Sequence, residues 1–182
     1  MANDLSRGNV LIADTVGLLW RGQVWVKGFE YVPANAGDTF TLLQYKTATP
    51  IANTKKSIVG TITDTNKLTA TGALSNVYAQ FALLHIIKSS GSVNNTKNGG
   101  LFLITTAGNN NDVVTSDAAW PLTNEVSKDY DIEAFAGTVF YQALSPGTDK
   151  QSIGRWFGET GILAENLALS VLTAGSKLYL YI

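Results

Sequence analysis

The chain has no cysteine, one histidine, one methionine and four prolines in 182 residues. Without cysteine there is no disulfide framework and no thiolate metal site. That composition fits a protein made in a reducing cytoplasm. Charge is also scarce: Asp, Glu, Lys and Arg make up 15% of residues, against a usual fraction near ~25%. The net charge is −1, and the densest basic pair is Lys55-Lys56, so no phosphate-tracking patch is expected and nucleic acid is not an expected partner. No apolar run approaches the ~20 residues of a membrane span, and the opening MANDLSRGNV has no apolar signal core. A membrane partner is therefore not expected either.

What is present is strand-forming sequence. The hydrophobic fraction is 45%, enough for a sizeable core. Residues 10–14 form a short apolar run. Residues 18–32 read as extended, with Trp25, Lys27, Phe29 and Tyr31 on one face and Val24, Val26, Gly28, Glu30 and Val32 on the other. PANAGD (33–38) reads as a turn and TFTLLQY (39–45) as a strand, so 24–45 is expected to be a hairpin. Further strands are expected at 57–63, 101–106 and 138–144. NVYAQFALLHIIKSS (76–90) fits helix and strand periods alike. Its Gly/Ser/Asn-rich flanks favour strand. Residues 90–100 read as a polar loop and 107–112 as a turn. IGRWFGETGI (153–162) holds too many glycines for a helix and is expected to form at most a single turn. NLALSV (166–171) and KLYLYI (177–182), joined by LTAGS, read as a second hairpin. All four prolines (33, 50, 121, 146) fall between these strands. The expected fold is all-β, an antiparallel sandwich or barrel-like domain spanning 1–182. A long central elaboration at about 57–150 would form an inserted arm or sub-domain.

Residues able to do chemistry are few and scattered. His85 sits in LLHII without a neighbouring acid or base, and reads as a structural or surface residue rather than a catalytic one. Asp129, Asp131 and Glu133 alternate onto one strand face. They read as a solvated face, with a hard-cation site or a glycosidase acid pair as the sharper alternatives. AGSK (174–177) lacks the spacing of a phosphate loop, and Asn94-Asn95-Thr96 is a glycosylation sequon only in a secreted chain. No catalytic residue, metal or cofactor is assigned. Trp20, Trp25, Trp120 and Trp156, with Tyr179 and Tyr181, have three readings: core packing, a subunit interface, or a platform for sugar rings.

Two segments carry a resemblance. VWVKGFEYVPANAGDTFTLLQ (24–44) resembles the opening of small virion structural proteins of tailed bacteriophages. In that group an alternating strand, an Ala-Gly-Asp turn and a second strand follow one another. GRWFGETGILAENLALSVLTAGSKLYLYI (154–182) is similar to the group's ending. There an aromatic pair and a glycine precede a strand, and a small-Gly-small turn leads into a Leu/Tyr/Ile alternation. Here those elements are Trp156-Phe157-Gly158, Ala174-Gly175-Ser176 and Leu178 to Ile182. The stretch from about 57 to 150 has no counterpart in the group. The resemblance implies a virion protein made in the host cytoplasm, in which case the protein is a head decoration or cement protein and not an enzyme. Its partners would be the major capsid protein and further copies of itself, as homodimer or homotrimer. A tail component or a virion-surface carbohydrate-binding module is the alternative. The expected interface residues are Trp20, Trp25, Trp156, Phe157, Tyr179 and Tyr181. Leu178, Leu180 and Ile182 are expected to face the core, with the final strand already paired inside a sheet.

Overall fold

The protein is described by a computed structural model covering residues 9–47, 50–74, 77–87, 98–109, 112–115, 121–145 and 151–182. It is all-β, and every strand pairing is antiparallel. The chain divides into two compact units, one from residues 1–45 and 138–182, the other from Lys46–Gly137. The insertion expected from the sequence runs from about 57 to 150. The polar loop expected at 90–100 lies mostly outside the described residues, as do Pro146 and the sequon at 94–96. Prolines 33, 50 and 121 lie outside strands.

The first unit begins with β1 (Val10–Ala13), β2 (Gly17–Leu18), β3 (Gln23–Val26), β4 (Gly28–Val32) and β5 (Thr39–Gln44). The second unit holds β6 (Lys56–Thr63), β7 (Lys67–Thr69), β8 (Leu83–Ile87), β9 (Gly100–Thr106), β10 (Asp112–Thr115) and β11 (Glu125–Phe135). The chain then returns to the first unit as β12 (Thr138–Leu144), β13 (Ile153–Trp156), β14 (Ile162–Glu165), β15 (Leu167–Leu172) and β16 (Lys177–Tyr181).

In the first unit, one four-stranded sheet has the order β1-β16-β4-β13 and another the order β12-β5-β15-β2. They enclose a common core that includes Leu11, Phe29, Tyr31, Phe40, Leu42, Leu167, Leu169, Leu178 and Leu180. A two-stranded ribbon, β14-β3, continues into both sheets, through β4 on one side and β15 on the other. Asn166 makes the second transition. It is buried at φ 49°, a left-handed conformation that Asn tolerates better than most residues. Its Oδ1 accepts from the Gly22 N–H at 2.7 Å and its Nδ2 donates to the Tyr45 carbonyl at 3.1 Å.

Neither expected hairpin forms. β4 and β5 lie in different sheets, and so do β15 and β16. The turns at 33–38 and 173–176 carry the chain across the core rather than back alongside itself. Phe29 and Tyr31 of β4 instead meet Phe40 of β5 across the core, at ring-centroid distances of 5.3 and 4.8 Å. The alternation expected through 18–32 also slips at Lys27, where the strand breaks. Val24 and Val26 are buried before it and Phe29 and Tyr31 after it, so Trp25 is not on the face of Phe29 and Tyr31. IGRWFGETGI does not form a helical turn at its start; it opens with the strand β13.

The second unit is a closed six-stranded barrel of order β10-β7-β6-β11-β8-β9. Its interior includes Ile58, Ile62, Leu84, Ile86, Phe102, Ile104, Tyr130 and Ile132. Asp64 and Thr65, both with positive φ, make the tight turn between β6 and β7. Within 76–90, strand structure occupies Leu83–Ile87, while Val77–Ala82 forms turns. Closure leaves the barrel without a free edge. The last residue pair joining β5 to β12 is Gln44 opposite Thr138, so the whole barrel is inserted where a hairpin turn would otherwise stand.

Candidate functional site

The residues of the first unit that were expected to form an interface come to different ends. In the β1-β16-β4-β13 sheet, cross-strand register sets which side chains share a face. Leu11, Leu180, Phe29 and Arg155 form one rung, and Ala13, Leu178, Tyr31 and Ile153 another, both on the core side. The intervening rungs are Val10, Tyr181, Gly28 and Trp156, and Ile12, Tyr179, Glu30 and Gly154. These point away from the core. Leu178 and Leu180 are thus buried as expected, and Ile182 packs against the same core.

On the outer face Trp156 is 59% exposed and meets Tyr181 edge to face, with ring centroids 6.2 Å apart. The Tyr181 hydroxyl lies 3.4 Å from Glu30 Oε2 and donates to it. Gly28 lies between the two aromatic residues in the rung. A Cβ there would sit 2.6 Å from the Arg155 carbonyl oxygen and 2.8 Å from Trp156 Cε3, so the indole uses space that only glycine leaves. Tyr179 is half-buried on the same face, one rung along. Trp25 is 50% exposed on the separate β3–β14 ribbon, where it faces Leu163, 43% exposed.

The remaining two aromatics serve the core. Phe157 packs among Phe29, Phe140 and Tyr141 at centroid distances of 6.1, 6.3 and 6.1 Å. Arg155 lies over the rings of Tyr141 and Phe157, 5.8 and 5.9 Å from their centroids. Trp20 is partly buried against the core and its Nε1 donates to the Gln23 carbonyl. Trp120 lies outside the described residues. The structure therefore joins Trp156, Tyr179 and Tyr181 on one face, and separates Trp20, Trp25 and Phe157 from them.

The two turn motifs of the sequence meet at one end of this unit. Ser176 is fully buried; its Oγ accepts from the Ala34 N–H at 3.0 Å and from the Tyr31 hydroxyl at 3.2 Å, and donates to Asp38 Oδ2 at 3.1 Å. Asp38 Oδ2 also accepts from the Asn35 N–H at 2.6 Å. Burial pushes the Tyr31 hydroxyl pKa upward, against the pull of its bond to Ser176. Gly175, at φ 83°, brings the second turn so close that a Cβ would lie 3.1 Å from that of Ala34. Ala36-Gly37-Asp38 and Ala174-Gly175-Ser176, far apart in sequence, are thus tied into one structure.

On the barrel, Asp129, Asp131 and Glu133 do share the outer face of β11, since Tyr130, Ile132 and Ala134 point inward. They are not pooled around one point. Asp131 accepts from the Ser57 hydroxyl at 2.5 Å, and Glu133 lies 2.9 Å from His85 Nδ1. Among the described residues no three acids or histidines are placed to share a metal ion. Hydroxyl and imidazole occupy separate rungs, each with its own carboxylate. Sequence proximity could not reveal the His85–Glu133 pair, because the partners come from different strands. A depression of about 430 Å³ beside Ser57 and Asp131 is bordered by Lys55, Lys56 and Ile87.

No family model, no curated protein and no solved structure matches the chain.

Proposed function

We propose that the chain is a structural virion protein of a tailed bacteriophage that decorates the head and cements neighbouring capsid subunits. The observation that carries this reading is the pair of sequence segments, 24–44 and 154–182, with their resemblance to small virion proteins. Two features of the first unit support it. The quoted turns form one hydrogen-bonded assembly. The same segments build the sheet whose outer face carries Trp156, Tyr179 and Tyr181. The two central rungs of that face are mostly apolar and aromatic, with Glu30 as their acid and the exposed Lys177 one rung beyond, which suits an interface with an apolar centre and a polar rim.

The mechanism is mechanical. Packed DNA pushes the shell outward, and a protein seated across adjacent capsid subunits adds contacts that must break before they part. Each contact is modest, but many copies on a closed lattice act together, and linked contacts gain from effective concentration. The partners are the major capsid protein and further copies of this chain.

Imaging of particles with and without the protein tests this reading. Density for the chain on the outer head surface, and weaker binding of a Tyr179→Ser/Tyr181→Ser variant to undecorated heads, are the expected results. Density in the tail would replace the head assignment, and absence from particles would end the virion reading. A second reading rests on the half-exposed rings of Trp25 and Trp156, which suit stacking against sugars. Specific binding on a glycan array that is lost in Trp156→Ala would favour it.

A further inference from the structure

Unit two is a closed barrel, but the first unit has open sheet edges, and the longest of them is β12. It pairs with β5 alone, and among the described residues no strand pairs with its other edge. Thr138–Leu144 reads TVFYQAL, with no charge, proline or glycine. Edges in stable monomers are usually blunted by lysine, proline or a covering element. β12 has only a bulge between Val139 and Tyr141. The bulge lets Phe140 and Tyr141 both join the core, and leaves the regular run Tyr141–Leu144 beyond it. Val139 is 55% and Leu144 64% exposed. Beside the strand, on the outer side of its sheet, a shallow groove of about 390 Å³ runs between Leu144, Gln142, Thr39, Thr41 and Val171, again without a charge. Of the other edges, β13 carries Arg155, β1 is followed at once by Asp14, β2 has two residues, β14 ends on Glu165, and β3, also uncharged, has four residues against the seven of β12.

We infer that β12 is a self-pairing edge. Two copies of this chain join β12 to β12 antiparallel about a two-fold axis, making one continuous sheet of order β2-β15-β5-β12:β12-β5-β15-β2. The occupant is a second copy because an isologous pairing sets residue i opposite j and j opposite i, so the strand meets only its own uncharged sequence. A strand and groove with no charge meet themselves without like-charge cost, whereas a charged partner finds no counter-charge there. Each copy supplies the donors and acceptors that the other leaves open. The two-fold closes at two, so the expected state is a dimer and not a trimer. The inference gives a surface to the self-association in the proposed function and rests on that part of it alone. Capsid binding is read separately, so its failure would leave the dimer standing.

The test is sedimentation of the full chain with two sets of variants. Wild type is expected to be a dimer at high micromolar concentration. Val139→Lys/Leu144→Lys is expected to raise the dissociation constant about tenfold or more while leaving thermal melting unchanged, and mixing it with Val139→Glu/Leu144→Glu is expected to restore a dimer. Because the chain has no cysteine, Gln142→Cys is a clean reporter: oxidation is expected to give a covalent dimer, and the same treatment of Gln23→Cys on the ribbon is not. A wild-type monomer, a trimer, or a dimer untouched by the lysines in a folded variant would overturn the inference. If the lysine variant fails to fold, the cysteine pair decides. Equal crosslinking at Gln142→Cys and Gln23→Cys would count against β12.

Discussion

Ser176 shows how much one hydroxyl can hold. It is the meeting point of an N–H, a phenol and a buried carboxylate. Ser176→Ala takes one partner from each of the three, and the phenol and carboxylate are buried, although Asp38 keeps the Asn35 N–H, so the expected loss is about 2 kcal/mol in denaturant unfolding of the first unit. A loss near zero would mean that the turns do not depend on each other. Asp112 offers a residue-scale test in the barrel. The Thr69 hydroxyl at 2.8 Å, with Lys67 at 3.3 Å, holds its carboxyl below the ordinary 3.8. A lowered folded-state value means that stability is gained above the unfolded-state value and lost as pH falls through the folded one. In Thr69→Val the carboxyl titration followed by NMR is expected to move up toward 3.8. The accompanying loss at neutral pH is expected to stay under about 1 kcal/mol, because the pair is partly exposed.

At the scale of elements, strand existence was legible and strand partnership was not. Apolar runs at 57–63, 101–106, 138–144, 166–171 and 177–182 each fall on a strand. Period-two patterning reports which face of a strand is apolar, and it did so for Leu178 and Leu180. It carries no information on whether the next strand lies beside that face or opposite it, so a turn that crosses between sheets looks like a hairpin. The pairing matters for the last strand. β16 lies between β1 and β4, so deleting residues 178–182 splits its sheet, besides removing two fully buried leucines worth about 1.5–3 kcal/mol each. The expected result is loss of cooperative melting in the first unit. Tyr179→Ser/Tyr181→Ser is expected to keep that transition, because both side chains are on the outer face. The candidate face was legible only in part for the same reason: Phe157 and Trp156 are adjacent in sequence, yet one enters the core and the other faces solvent.

At the scale of the whole molecule, the chain is a sandwich interrupted by a barrel. Each unit has its own apolar core and its own closed set of strand pairings. Replacing residues 46–137 with a short Asn-Gly turn should therefore leave a folded sandwich, seen as retained β-sheet circular dichroism and a cooperative unfolding transition. An unfolded product would show that the sandwich depends on the barrel for more than connection.

The pairing of Gln44 with Thr138 also sets a sequence of events in time. While the barrel is unfolded, those two residues are the ends of a long floppy loop, and bringing them together costs about 4 kcal/mol of chain entropy. Once the barrel has formed, the Ile51 N–H is held by the Ala134 carbonyl at 2.7 Å, so the loop left to close between β5 and β12 is only a few residues on each side. The fast route to the native protein thus begins in the middle of the chain and works outward. A barrel-interior substitution such as Ile132→Ala should slow the burial of sandwich aromatics in stopped-flow refolding, although it touches none of them; an unchanged rate would mean that the sandwich closes first.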